Sequence, residues 1–181
     1  ISMDAEFTGL HANATLISIA LVSNCGAKFY AEFCDYDKSQ LERMGCKEEV
    51  LNNLLYNEYK EYTDFSFESP VSMKDKTTFI SVRLIEWLKQ FDEIEIVGDC
   101  MSWDWVLFCD LFGGAFKIPQ NVYYIPFDIA NLFKIKNINP DISRVEYLGG
   151  IDSLTFEYKE HNALTDAKVC LNCYNKLMDS Q

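Results

Sequence analysis

Ile1-Ser2-Met3-Asp4-Ala5-Glu6-Phe7-Thr8-Gly9-Leu10 reads as a β-strand that carries two carboxylates two residues apart. Side chains alternate along a strand, so Asp4 and Glu6 share one face of whatever sheet the strand joins. Two like charges on an otherwise apolar strand repel each other and lose hydration. An edge strand that shows the pair to water is one resolution; a divalent cation between them is the economical one. Outward from this strand, residues 15–22 and 28–33 are apolar runs, the second preceded by turn residues at Asn24 and Gly26, and the three runs read as a β-meander opening the fold.

Beyond the meander the period changes. Leu41, Met44, Val50, Leu51, Leu54 and Leu55 recur at helical spacing, which predicts two short helices over 39–55 broken near Gly45. Residues 56–73 are polar and aromatic without a period and read as a loop. A helix over 76–91 places Phe79, Ile80, Leu84, Trp87, Leu88 and Phe91 on one face, followed by a buried strand over 93–98. Another apolar helix, 103–112, stops at Gly113-Gly114. A strand over 122–125, a helical turn or two over 128–133 and a long helix over 162–178 complete the chain. The order predicts a single α/β domain, 1–181, with a mixed β-sheet flanked by helices.

The chain has 181 residues and is 49% hydrophobic, enough to bury an ordinary core and to exclude disorder and disulfide miniproteins. Sixteen basic against 28 acidic residues give a formal charge of −12. That balance excludes a basic protein that coats nucleic acid, so a polyanionic partner needs a local reason to bind. No run reaches the roughly 18 apolar residues of a membrane span, and the start lacks a signal-peptide layout. The expectation is a cytoplasmic protein with no membrane partner. Seven cysteines without framework spacing read as reduced, buried thiols. Cys170 and Cys173 have zinc-knuckle spacing but no completing pair, and read as two thiols on a helix face.

Other acids and one histidine join the first pair. Asp104 follows the predicted buried strand and sits at the entry of the 103–112 helix, where strand ends in α/β sheets present functional groups. Asp99, which also suits a helix cap, and Asp110, which suits a solvated helix surface, compete with it. His161-Asn162-Ala163-Leu164-Thr165-Asp166 opens the last helix. With Asn162 as N-cap, His161 stands in the preceding loop and Asp166 one turn in. The other histidine, His11, lies in a polar turn with no partner at a suggestive spacing.

Asp-x-Glu followed by Thr-Gly-Leu on a first strand, a central Asp after a buried strand, and His-x4-Asp opening a C-terminal helix resemble, in that order, the DEDDh family of 3′-to-5′ exonucleases, which have an RNase H-like fold and include DnaQ-type proofreading subunits, RNase T and oligoribonuclease. The DEDDy branch carries Tyr four residues before its last Asp, where this chain has Asn162; His161 matches DEDDh. The short chain and aromatic middle are most similar to a small bacterial and phage exoribonuclease branch. One departure is Cys100 where the second motif usually has Asn, with Trp103 where Phe is common.

The resemblance implies a metal-dependent 3′-to-5′ exonuclease in which Asp4, Glu6, Asp104 and Asp166 hold two Mg²⁺ or Mn²⁺ ions. Asp4 would lie between them and His161 would be the general base. It implies single-stranded RNA or a 3′ overhang as substrate, with DNA the alternative, and a homodimer. The backbone after Glu6, through Phe7 and Thr8, would meet the terminal ribose, and Leu10 would wedge against the last base or else belong to the core. Trp103, or a Tyr from the middle loop, would stack on a base, with a core anchor the competing role for Trp103. Lys134, Lys136, Arg144, Lys159 and Lys168 form either a basic lip or ordinary solvent contacts. The competing functions are an RNase H-type endonuclease and an inactive binding module of the same fold.

Overall fold

The computed structural model describes residues 1–57 and 71–179. The meander forms as the alternation predicts: β1 (Ser2–Phe7), β2 (Leu16–Val22) and β3 (Lys28–Phe33) pair antiparallel in succession. A bulge interrupts the first pairing. Glu6 faces Ser18 and Phe7 faces Leu16, so Ile17 is the extra residue. The bulge lets Phe7 and Leu16 join one core while Ile17 joins Leu41 and Val50 in another.

Three more strands extend the sheet: β4 (Val71–Asp75), β5 (Val97–Gly98) and β6 (Phe127–Asp128). The order is β4-β3-β2-β1-β5-β6, with β4, β5 and β6 parallel to their neighbours. Among the described residues this is a mixed six-stranded sheet flanked by helices, an α/β fold consistent with an RNase H-like arrangement.

Met3, Ala5 and Phe7 pack on one side of the sheet in the main core. There they meet α2 (Thr77–Leu88), through Ile80, Leu84, Trp87 and Leu88, and α3 (Ser102–Asp110), through Leu107 and Phe108. On the other side Ala20, Val22 and Tyr30 pack on Ala163, Leu164 and Ala167 of α6 (Ala163–Asp179). That side carries Asp4 and Glu6. The short α1 (Lys47–Asn52) and the 3₁₀ turn Lys38–Arg43 cover Ile17. A fourth apolar cluster joins Val97 and α6 to α4 (Ile129–Ile135) and α5 (Arg144–Tyr147). Among the described residues no helix is long and apolar enough to cross a membrane.

Several elements differ from the sequence reading. The apolar run 122–125 is not a strand. Val122 makes an isolated bridge to Ile94, Tyr123, Tyr124 and Ile125 are exposed, and pairing resumes only at Phe127, after Pro126, which has no N–H to donate. The strand expected over 93–98 contracts to that bridge and β5. The loop expected over 56–73 ends in β4. Its part from 58 to 70, which holds Tyr59 and Tyr62 among the tyrosines that could stack on a base, lies outside the described residues. Phe79 is half-exposed, one residue off the buried face of α2. The cysteines are all free, but Cys25, Cys34 and Cys100 are exposed rather than buried.

Candidate active site

Asp4 and Glu6 come from β1 and Asp166 from the first turn of α6. Among the described residues these three form one group whose carboxylate oxygens lie within 4.8 Å of one another. They open on a cleft of about 550 Å³ that also exposes His161, Tyr158 and Asp99. α6 delivers Asp166 because its start is locked. The Asn162 side-chain oxygen accepts from the Thr165 amide at 3.2 Å, the N-cap the sequence predicts, and its carbonyl accepts from Asp166 N–H at 3.0 Å. The Tyr158 hydroxyl then donates to Asp166 Oδ1 at 3.0 Å. Burial and the Asp166 charge push the Tyr158 phenol well above its ordinary range, which keeps it a donor.

Asp104 lies in the first turn of α3 and holds the backbone of β1 beside the cluster: its Oδ1 accepts from Ala5 N–H, between Asp4 and Glu6, at 3.0 Å. It stands apart from the tight group of three, yet its charge acts on both Asp4 and Glu6. The electrostatics are those of an acid cluster short of counter-charge. Burial, then Asp166, Asp104, Glu6 and Asp99, hold Asp4 well above the carboxylate range. Burial followed by Asp166 and Asp104 pushes Glu6 up to about 8. Burial raises Asp104 and Asp166 to about 6 each; for Asp166 the Tyr158 hydrogen bond and His161 pull the other way. An all-oxygen donor set of this kind suits a hard divalent cation such as Mg²⁺ or Mn²⁺, so the residues fit the metal that the resemblance implies.

Asp99, the competing second-motif acid, is otherwise engaged. Arg144 pairs with it bidentately, Nε to Oδ2 at 2.7 Å and Nη2 to Oδ1 at 2.8 Å, while Nη1 donates to the carbonyls of Pro140 and Ile142. The guanidinium also lies over the Phe133 ring, 4.4 Å from its centroid. Arg144 is therefore a bracket for the cleft wall. Lys168, from the same expected basic lip, stacks on Phe156. Arg144→Ala would strand Asp99, only 28% exposed, and free two carbonyls. The expected loss is about 2 kcal/mol of unfolding free energy, less than a fully buried pair would cost, read from a urea melt. Asp110 is exposed at the end of α3.

The residues expected to meet substrate divide. Leu10 is 73% exposed, so it is not core and is free to touch a ligand. Thr8 is fully buried and its hydroxyl is spent on Thr15 and Gln40, which leaves its side chain a structural pin. Phe7 packs against the main core. Trp105, rather than Trp103, packs there from α3 and stacks on Phe108; Trp103 remains partly exposed. Cys170 and Cys173 are buried among apolar side chains, and the Cys173 thiol contacts the Arg144 carbonyl at 3.5 Å.

Sequence reasoning missed Tyr158 and the Arg144–Asp99 pair, the latter joining positions 45 apart. A signal for Tyr158 was present: it stands eight residues before Asp166, in the loop that leads into the capped helix. Two cleft residues other than glycine, Cys100 (φ 54°) and His161 (φ 56°), adopt left-handed backbone, a cost that concentrates at functional sites.

No curated protein matches the chain. The family model of the Rv2179c-like 3′-5′ exoribonuclease domain matches residues 1–178, nearly the whole sequence and every element of the cleft. The chain belongs to this family of 3′-5′ exoribonucleases.

Proposed function

We infer that the protein is a DEDDh-type exoribonuclease that removes nucleotides from the 3′ end of single-stranded RNA, with Asp4, Glu6, Asp104 and Asp166 as metal ligands and His161 as general base. The observation that carries this reading is the convergence of Asp4, Glu6 and Asp166 within 4.8 Å on a cleft that also holds His161, in a chain of exoribonuclease family. A pair of divalent cations bound there would supply positive charge that acidifies the attacking water and offsets charge on the leaving 3′ oxygen.

The chain's own groups do the rest. His161 accepts the proton as the water oxygen adds to phosphorus; the P–O3′ bond breaks, and the released 3′ oxygen takes a proton from solvent. The products are a 5′-mononucleotide and a strand one residue shorter with a 3′ hydroxyl. Tyr158 fixes the orientation of Asp166 through its 3.0 Å hydrogen bond, and the partly buried carboxylates are positioned by β1 and α6. Leu10, exposed beyond the end of β1, suits the wedge against the terminal base.

A 5′-labelled single-stranded RNA and its DNA equivalent, incubated with Mg²⁺, Mn²⁺ or EDTA, test the proposal. The expected result is a metal-dependent ladder shortening from the 3′ end of the RNA. Internal cuts would indicate an RNase H-type endonuclease, equal degradation of DNA a proofreading-type enzyme, and no cleavage with any metal a binding module. His161→Ala should lower kcat by about 10²- to 10⁴-fold with little change in KM. An unchanged kcat would place the proton acceptor elsewhere.

A further inference from the structure

The loop that presents His161 is held from a distant part of the chain. Asn53 caps the C-terminus of α1, its own N–H donating to the carbonyls of Glu49 and Val50. Its side chain reaches across 107 positions and donates, Nδ2 to the Glu160 carbonyl at 2.7 Å. In return Asn162 Nδ2 donates to the Asn53 carbonyl at 2.5 Å, using an acceptor that the end of α1 leaves open. His161 lies between the two attachment points. The orientation of both amides is fixed by their partners: Asn53 must present N–H to a carbonyl, and Asn162 uses its oxygen on the Thr165 amide.

The bracket has a reason to exist. His161 has φ 56°, a conformation that costs a residue with a side chain about 1 kcal/mol or more. Inside the loop, the Lys159 carbonyl accepts from Asn162 N–H at 3.2 Å and from the Thr165 hydroxyl at 2.6 Å, which closes the turn on the α6 side. The Asn53 contacts close it on the other side. Asn162 is 2% exposed, so its half of the clamp is shielded from water, while the Asn53–Glu160 bond lies at the surface and its 2.7 Å length holds it there.

We propose that Asn53 is a positioning residue for His161, clamping the backbone on both sides of the imidazole so that it faces the carboxylate cluster. The proposal rests on the reading of His161 as proton acceptor, and it acts through geometry alone. Asn53→Ala removes the contact to Glu160 while leaving the Asn53 carbonyl for Asn162. It should lower kcat about tenfold with KM for RNA unchanged. In a His161→Ala background the same substitution should have no further effect, because its only route to the chemistry is gone. A kcat loss of equal size in both backgrounds, or no loss, would overturn the proposal. Asn53→Gln, which keeps the amide but displaces it by one methylene, should show a smaller kcat loss with the same dependence on His161, and carries the test where the alanine variant fails to fold.

A second readout separates this claim from the functional one. The chain has two histidines, so its imidazole proton–carbon spectrum holds two sets of signals, and His161→Ala identifies which is which. Asn53→Ala should shift or broaden the His161 signal and leave that of His11 in place. If the wild-type chain cuts no RNA but this selective change appears, the functional reading fails and the clamp stands. If neither Asn53 variant alters the His161 signal, the clamp fails whatever the activity.

Discussion

Asp4→Ala is expected to lower kcat on RNA by at least about three orders of magnitude while leaving the protein folded. Asp4 faces Asp166, Asp104, Glu6 and Asp99 at once, so it is the carboxylate on which the cluster's charge converges. Removing it takes an oxygen donor from the centre of the site, which no neighbour on β1 can replace: Met3 and Ala5 point into the opposite core. The same crowding predicts the effect on stability. Burial and four like charges hold the Asp4 carboxyl well above its usual range, so its ionised form is disfavoured in the fold. Without metal at pH 8, Asp4→Ala should therefore melt at a temperature equal to or above that of the wild type. Retained activity, or a large drop in melting temperature, would contradict the assignment.

The metal-free protein is expected to lose stability as pH rises, and to regain it on adding metal. The sign follows from the directions of the shifts. Glu6 moves from 4.5 to about 8, and Asp104 and Asp166 from 3.8 to about 6, so the folded state holds protons that the unfolded chain releases. Below about pH 4 these acids are protonated in both states and cost nothing. Between about pH 4 and pH 8 the unfolded state is increasingly favoured, and above about pH 8 the penalty is complete. The loss across that window is on the order of 3 kcal/mol after allowance for relaxation around the site. Melts in EDTA from pH 5 to 8.5 should show the decline, and Glu6→Gln should flatten it. Mn²⁺ or Mg²⁺ at 100 times its dissociation constant should restore about 2.7 kcal/mol at pH 8. A flat metal-free profile with no response to either ion would remove the basis for a metal site.

What the sequence made legible was what depends on near neighbours. Period two put Asp4 and Glu6 on one face, and the Asn162 cap put His161 outside α6 and Asp166 inside it; the structure has both. The strands of the meander were readable because each turns directly into the next. β4 was not, because Val71–Asp75 offers only two apolar residues, Val71 and Met73, too short an alternation to stand out without its parallel pairing with β3. The run 122–125 misled for the opposite reason: its side chains suit a strand, but Tyr123, Tyr124 and Ile125 face solvent. At the site, Asp99 and Asp104 could not be separated by spacing. The structure pairs Asp99 with Arg144, 45 residues away, and Asp104 with the Ala5 amide, 99 residues away, contacts that no spacing reveals.

The central claim is that this carboxylate-and-histidine cleft hydrolyses the last phosphodiester of an RNA chain by direct attack of water. Hydrolysis of a short single-stranded RNA in ¹⁸O-labelled water with Mg²⁺, followed by mass analysis of the products, tests it most directly. The account predicts 5′-mononucleotides released in order from the 3′ end, each carrying one ¹⁸O in its phosphate, and none from Asp166→Asn. Label in a 3′-phosphate, internal fragments, or undiminished release by Asp166→Asn would contradict it.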